Sequence, residues 1–308
     1  MFHTHIHPGR ILLQHNGQAE AEIYPFGALL NAYAIRRADG SLFNCIDGYA
    51  SPAAAPHHIR DRFQSAKLSP FACRIRHAAY RFAGQDYTDI GTFRVAGHSA
   101  HGLLYDAAFR ITASGSDNLA AWVELAHDYP GSAGYPFPYR LTVRYALSEQ
   151  GLSVHSRVDN LGTAALPIVD GWHPYFTLGG SADDWTLALN SRERLVFDHD
   201  LVPDGQTVAD ERFTAPARLA GIELDNSFVL ADATRAACRL NGNGLMLELF
   251  AEQNYPIMQV YLPDERNSIA LENLSGAPDA FNNGIGLHTL APGQSQTFAL
   301  RYRLSEEC

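Results

Sequence analysis

Hydrophobic and polar positions alternate with a period of two along much of the chain. Tyr139, Leu141, Val143, Tyr145 and Leu147 interleave with Arg140, Thr142, Arg144 and Ala146. After Ser148-Glu-Gln-Gly151, Leu152, Val154 and Val158 interleave with Ser153, His155, Arg157 and Asp159. Side chains two apart share one face of a strand, so this pattern predicts an antiparallel hairpin with one buried face, closed by a turn at 148–151. Phe298, Leu300, Tyr302 and Leu304 repeat the alternation near the C-terminus, and the segments 121–126 and 246–250 are further short strands. Helical spacing is scarce: one short helix is expected within 57–67, and Ser51-Pro-Ala-Ala-Ala-Pro56 is read as a loop. Many short strands punctuated by turn residues predict an all-β antiparallel sandwich or barrel. No linker, repeat or low-complexity segment divides the chain, so one domain over residues 1–308 is expected.

Composition narrows the function. Hydrophobic residues make up 46% of the 308, enough for a large core. The formal net charge of -10 lacks the basic face that phosphate neutralisation requires, so a nucleic-acid partner is not expected. No run approaches the roughly 18 apolar residues of a membrane-spanning helix. The start, Met1-Phe-His-Thr-His-Ile-His7, lacks the basic and apolar regions of a secretory leader, so a cytoplasmic location is expected. Four cysteines without a Cys-x-x-Cys pair read as free thiols, and the sequon at Asn273-Leu-Ser275 carries little weight without secretion. Nucleotide-binding glycine motifs, the serine-hydrolase elbow and the zincin His-Glu-x-x-His are absent.

Several segments carry candidate chemistry. Gly171-Trp-His-Pro-Tyr-Phe176 surrounds a histidine with aromatic rings whose faces suit the C–H faces of a sugar; a core aromatic cluster with a hydrogen-bonded histidine is the plain alternative. Glu272 follows the apolar stretch 269–271 and shares a strand face with Ala270; it is either a buried carboxylate with a raised pKa or a solvated edge residue. Arg74, in the apolar run Ser69-Pro-Phe-Ala-Cys-Arg-Ile75, calls for a partner, in the simplest case a structural ion pair. His3, His5 and His7 alternate and could meet a metal on one strand face; His98 and His101 would do so only on a helix, which the flanking Gly97 and Gly102 disfavour.

Taken in order, these segments resemble the aldose 1-epimerase (galactose mutarotase) family from about Ile11 to Leu304. The matching blocks are Lys67-Leu-Ser-Pro-Phe-Ala-Cys-Arg-Ile-Arg76 with the following Tyr80–Tyr87 hairpin, His101-Gly102, His173-Pro-Tyr-Phe176, Asp225-Asn-Ser-Phe228, Gln259-Val-Tyr261 and Leu271-Glu272. The resemblance implies a β-supersandwich with an open cleft and interconversion of the α and β anomers of a free aldose such as glucose or galactose, an isomerase reaction needing no cofactor and no metal. It makes Glu272 the general base, His173 the general acid and His101 an assistant at the ring oxygen. Arg74 and Asp225 would bind sugar hydroxyls, with Tyr175 and Gln259 in the same pocket. The expected partner is the small-molecule sugar, and the expected state a monomer or homodimer. Cys73 before Arg74, where many relatives carry a polar amide, and Tyr105 after His101-Gly102, in place of a commonly basic residue, depart from the family pattern, and Gly171-Trp172 before His173 differs from the galactose-specific members. Two alternatives remain: a hexose-6-phosphate mutarotase, with Arg74, Arg76 and Arg81 as its phosphate pocket, and a non-catalytic sugar-binding protein on the same fold.

Overall fold

The alternation at 139–159 folds as a hairpin. In the computed structural model, which describes residues 1–231 and 235–307, Tyr139–Ser148 pairs antiparallel with Gly151–Asn160. Gly151 has φ +113°, and a Cβ there would lie 2.1 Å from the Tyr302 carbonyl oxygen on the next strand, so the turn requires glycine. Leu141, Val143, Tyr145 and Leu147 are buried, while Arg140, Thr142 and Arg144 keep partial exposure. The C-terminal strand Ser295–Glu306 lies between Gly151–Asn160 and Leu245–Gln253. These strands belong to a nine-stranded sheet.

A second large sheet has eight strands. Its central run is Ser191–Phe197, Asp225–Leu230, Ile257–Tyr261, Ile269–Leu274, Gly171–His173 and Ala66–Leu68, with Tyr175–Phe176 also paired to Ile269–Leu274. The rear face of this sheet packs on the nine-stranded one: Trp172 meets Tyr145 with ring centroids 6.0 Å apart, and Phe176 meets Tyr302 at 5.3 Å. A five-stranded N-terminal sheet spanning 2–44 joins through Thr4 Oγ1, which donates to the Gly115 carbonyl at 2.7 Å, and Tyr145 OH, which donates to the Ala28 carbonyl at 2.8 Å. Buried apolar side chains from Phe2 to Leu304 form a contiguous core. The architecture is the expected all-β antiparallel sandwich.

Two expectations shift. The helix is Ala55–Arg62 rather than lying within 57–67. Pro56 is tolerated in its first turn, where no intrahelical N–H is needed, so the loop read at 51–56 already ends in helix. Phe63, at φ +55°, terminates it, and Ala66–Leu68 is strand. Cys45, Cys73 and Cys238 are free thiols, as read; Cys308 lies outside the described residues. The sequon is buried at both Asn273 and Ser275.

One charged pair sits between the two large sheets. Lys67 and Trp172 are register partners and share the rear face, with the ammonium 4.2 Å from the indole ring. Lys67 Nζ donates to Asp170 Oδ1 at 2.5 Å and to Ser156 Oγ at 3.1 Å, while Tyr255 OH donates to the same Asp170 oxygen at 2.6 Å. Both charged side chains are fully buried. Desolvation pushes Lys67 down to about 8 and Asp170 up, against their mutual attraction. Strand alternation places the neighbouring His173, which pairs with Ala66, on the opposite, outer face.

Candidate active site

That outer face carries a row of polar residues. Ser227 pairs in register with Gln259, and Gln259 with Glu272. Gly171 pairs with Leu274 and Tyr175 with Ala270, which brings His173 alongside Glu272. Glu272 lies in the middle of the sheet and is 3% exposed, so it is not a solvated edge residue. His173 Nε2 is 3.4 Å from Glu272 Oε1. Tyr175 stacks on the imidazole with centroids 5.2 Å apart.

The opposite wall comes from the irregular segments before the central strands. Arg74 pairs with Ala100 in a small three-stranded sheet, and the His101 N–H donates to the Cys73 carbonyl at 2.8 Å. His101 takes a left-handed φ of +63°, which turns its ring onto Phe63 at 4.3 Å and edge-on to His173 at 5.2 Å. Gly102 makes this turn possible: at φ +76°, a Cβ would meet the Ser69 nitrogen at 2.7 Å and its carbonyl oxygen at 2.6 Å. Gly102→Ala is therefore expected to displace His101 and to cost on the order of 1–3 kcal/mol from the backbone conformation alone. Thermal unfolding measures that cost; an unchanged melting temperature would contradict it.

A cavity of about 340 Å³ lies between these walls. Glu272, His173, His101, Arg74, Asp225, Tyr175 and Gln259 all line it, so every site residue expected from the sequence converges there. A cavity of about 390 Å³ beside Tyr255, Ser275 and His288 has no carboxylate in its lining. Sequence reasoning missed Arg60, Arg62, Phe63, Phe93, Phe197 and Leu201 in the first cavity, which stand at a helix end, at the end of the strand Ser191–Phe197 and in loops, without a motif. Arg62 lies 4.5 Å from the Tyr175 ring and donates to Asp47 and Ser268, each at 2.9 Å.

Burial governs the electrostatics. Desolvation pushes Glu272 well above the usual carboxylate range, and the charge of Asp225 adds to the rise. Desolvation lowers His173 to about 4, with the Arg62 charge acting the same way. His101 is held well below its usual value by burial, then by His173 and Arg74. Asp225 is raised by the protein packed round it, although its side chain still meets solvent at the cavity mouth; Arg74 and Gln259 pull the other way. Glu272 Oε2 and His101 Nδ1 are buried without a hydrogen-bond partner among the described residues, and His173 Nδ1 faces only its own main chain. Unpaired buried polar atoms are costly, so such a cluster is suited to a ligand rich in hydroxyls.

The remaining candidates separate. Arg74 donates to the Asp200 carbonyl at 2.7 Å, so the partner expected for it is main chain rather than the ion pair of the simplest reading. His98 does not join His101: its Nδ1 accepts from the His77 N–H at 3.0 Å, and its Nε2 lies 3.5 Å from Asp200. Arg76 pairs with Asp198 and Asp200, and Arg81 is exposed against Asp86, so the phosphate pocket expected from Arg74, Arg76 and Arg81 does not form. His3, His5 and His7 stand in a row on the edge strand Phe2–His7, ring centroids 6.0 and 6.4 Å apart, outside the cavity lining. Among the described residues, Asp198, His199 and Asp200 are close enough together to hold a metal ion; both aspartates are already ion-paired with Arg76.

The aldose 1-epimerase family profile matches residues 9–303. The chain belongs to the aldose 1-epimerase family. YihR of Escherichia coli K12, an uncharacterized protein, is 32% identical over 235 residues, 74% of each chain. The GalM/aldose epimerase homologue of C. elegans superposes with a TM-score of 0.86 at 18% identity, covering 97% of this chain and 99% of that one. The galactose 1-epimerase of Lactobacillus acidophilus NCFM superposes with a TM-score of 0.81 at 18% identity, covering 100% and 99%. The family and the sandwich read from the sequence are thus both found. Among the described residues no helix is long and apolar enough to cross a membrane.

Proposed function

We propose that the chain is an aldose 1-epimerase, interconverting the α and β anomers of an aldose by acid–base ring opening. The observation that carries this reading is the His173–Glu272 contact of 3.4 Å inside a cavity that His101 also enters. Glu272, as carboxylate, takes the proton from the anomeric hydroxyl. The O–H electrons form the C1=O bond, the bond between C1 and the ring oxygen breaks, and the ring oxygen takes a proton from the His173 imidazolium, with His101 assisting there. The aldehyde rotates about C1–C2 and closes by the same transfers reversed, so every proton is returned and no cofactor is consumed. Arg74, Asp225, Gln259 and Tyr175 hold the remaining hydroxyls and the ring face.

The pKa directions fit a shared proton. Burial in the cavity favours the neutral carboxylic acid and the neutral imidazole. The reactive carboxylate–imidazolium form carries the same total charge, so it is reached by proton transfer within the pair across their 3.4 Å contact. Sugar hydroxyls donating to Glu272 Oε2 would favour that form.

A second reading is an aldose carrying an anionic group, such as glucose 6-phosphate. Arg60 and Arg62 support it, because both line the cavity. Polarimetry of freshly dissolved α-D-glucose, α-D-galactose and α-D-glucose 6-phosphate tests both readings. Faster relaxation to an unchanged final rotation is expected with at least one sugar, and the fastest one separates the neutral from the anionic class. Sugar binding without acceleration of any of the three would favour the non-catalytic protein instead.

A further inference from the structure

The polar row on the outer face continues past the cavity. Ser227 is fully buried and lies outside the cavity lining, yet it is the register partner of Gln259. Its hydroxyl donates to Gln259 Oε1, and Gln259 Nε2 donates to Asp225 Oδ1 at 2.6 Å. The three side chains form one directed chain of hydrogen bonds.

The direction of that chain is tied to a single proton. An amide oxygen only accepts and an amide NH₂ only donates, while an ionised carboxylate only accepts. With Asp225 ionised, one amide orientation satisfies both neighbours, and in it Ser227 must donate. The reversed amide turns its oxygen to Asp225, which must then carry a proton to donate, and Ser227 becomes an acceptor. A hydroxyl can play either part, but an alanine methyl can play neither.

We propose that Ser227 is a positioning residue: its hydroxyl, donating to Gln259 Oε1, anchors the amide so that its NH₂ group stays on Asp225, a contact that favours the ionised acceptor facing the cavity. This deepens the reading in which Asp225 receives a sugar hydroxyl, and it rests on that reading for its role in binding. Donation from Gln259 favours the charged carboxylate, and burial opposes it. The other groups that face Asp225 are Arg74 and Cys73 from the opposite wall, Glu272 on Ile269–Leu274, and Tyr261, its own register partner. Arg74 favours the carboxylate, and an ionised Glu272 opposes it. All four are unchanged in variants of Ser227, so a shift in those variants belongs to the hydrogen-bonded chain.

The test is a carboxyl ¹³C NMR titration of the full chain without sugar, with Asp225→Asn identifying the resonance. Ser227→Ala leaves Gln259 Oε1 without its donor and frees the amide to turn. The Asp225 midpoint is expected to move up by about one pH unit, a tenfold change in its proton affinity. Ser227→Thr keeps the hydroxyl and should stay near the wild-type midpoint. Should Ser227→Ala not fold, Gln259→Leu removes the same donation to Asp225 and should give the same upward shift. An unmoved midpoint in Ser227→Ala, or an equal shift in Ser227→Thr, overturns the proposal, since the second would reflect packing rather than the hydroxyl. The titration contains no sugar, so a failure of every sugar in polarimetry would strike the proposed function and leave this result standing. Where a sugar is turned over, Ser227→Ala should move the acid limb of KM upward by the same amount, with kcat on the plateau unchanged.

Discussion

Glu272→Gln should lower kcat for anomer interconversion by roughly 10²–10⁴-fold, the range supplied by one positioned acid–base group. Glutamine has nearly the same shape and keeps an oxygen to accept from sugar hydroxyls, but it cannot take the anomeric proton. Sugar affinity by calorimetry should therefore stay within a few-fold of wild type. Stability provides a control. Glu272 is buried, and its carboxylate is penalised by desolvation, so replacing it with a neutral amide should not lower the melting temperature. A rate loss at preserved affinity and preserved melting temperature would place the residue in the proton transfer. A variant with wild-type kcat would remove Glu272 from that role.

The second large effect concerns stability. Lys67→Met leaves Asp170 fully buried without its cation, and breaking one side of such a pair costs about 3–5 kcal/mol. Most of this cost is the lone charge and not the lost attraction. Lys67→Met combined with Asp170→Asn should consequently recover most of the loss, because the amide oxygen still accepts from Tyr255 OH while no isolated charge remains. Urea unfolding of the single and double variants measures both numbers. A loss below about 1 kcal/mol in Lys67→Met would mean that the pair is not dry. The site should feel the single change as well, since Lys67 and Ala66 belong to the strand that supports His173.

The sequence was legible where one face of a strand meets solvent. The hairpin 139–160 alternates because Arg140, Thr142 and Arg144 keep contact with water while Leu141, Val143 and Tyr145 do not. The strands of the site break that rule. Ile269–Leu274 is buried at every position, and Gly171–His173 has only three residues, so neither shows a period. Glu272 and His173 could be read from family motifs alone, and the local sequence left a solvated glutamate and a core histidine open. Lys67 looked like part of a motif and gave no sign of its buried partner, because the match between Lys67 and Asp170 is made by register across 103 residues. In the sequence Ser227 is only a member of the block that carries Asp225; its link to Gln259 appears once two strands are laid side by side. The cavity rim was invisible because it is assembled from chain segments with no common pattern.

That division of labour bears on how such a chain can change over time. Glu272, His173 and Gln259 are tied into one sheet by ladder hydrogen bonds, where a shift at one position disturbs its neighbours. Arg60 and Arg62 end a helix, and Phe93 and Leu201 sit in loops. Substitutions there alter the size and charge of the cavity mouth without touching the ladder. The charge and size of the cavity mouth are thus free to change while the sheet that holds the proposed acid–base pair stays fixed, so a shared sheet says little about which ligand the mouth admits.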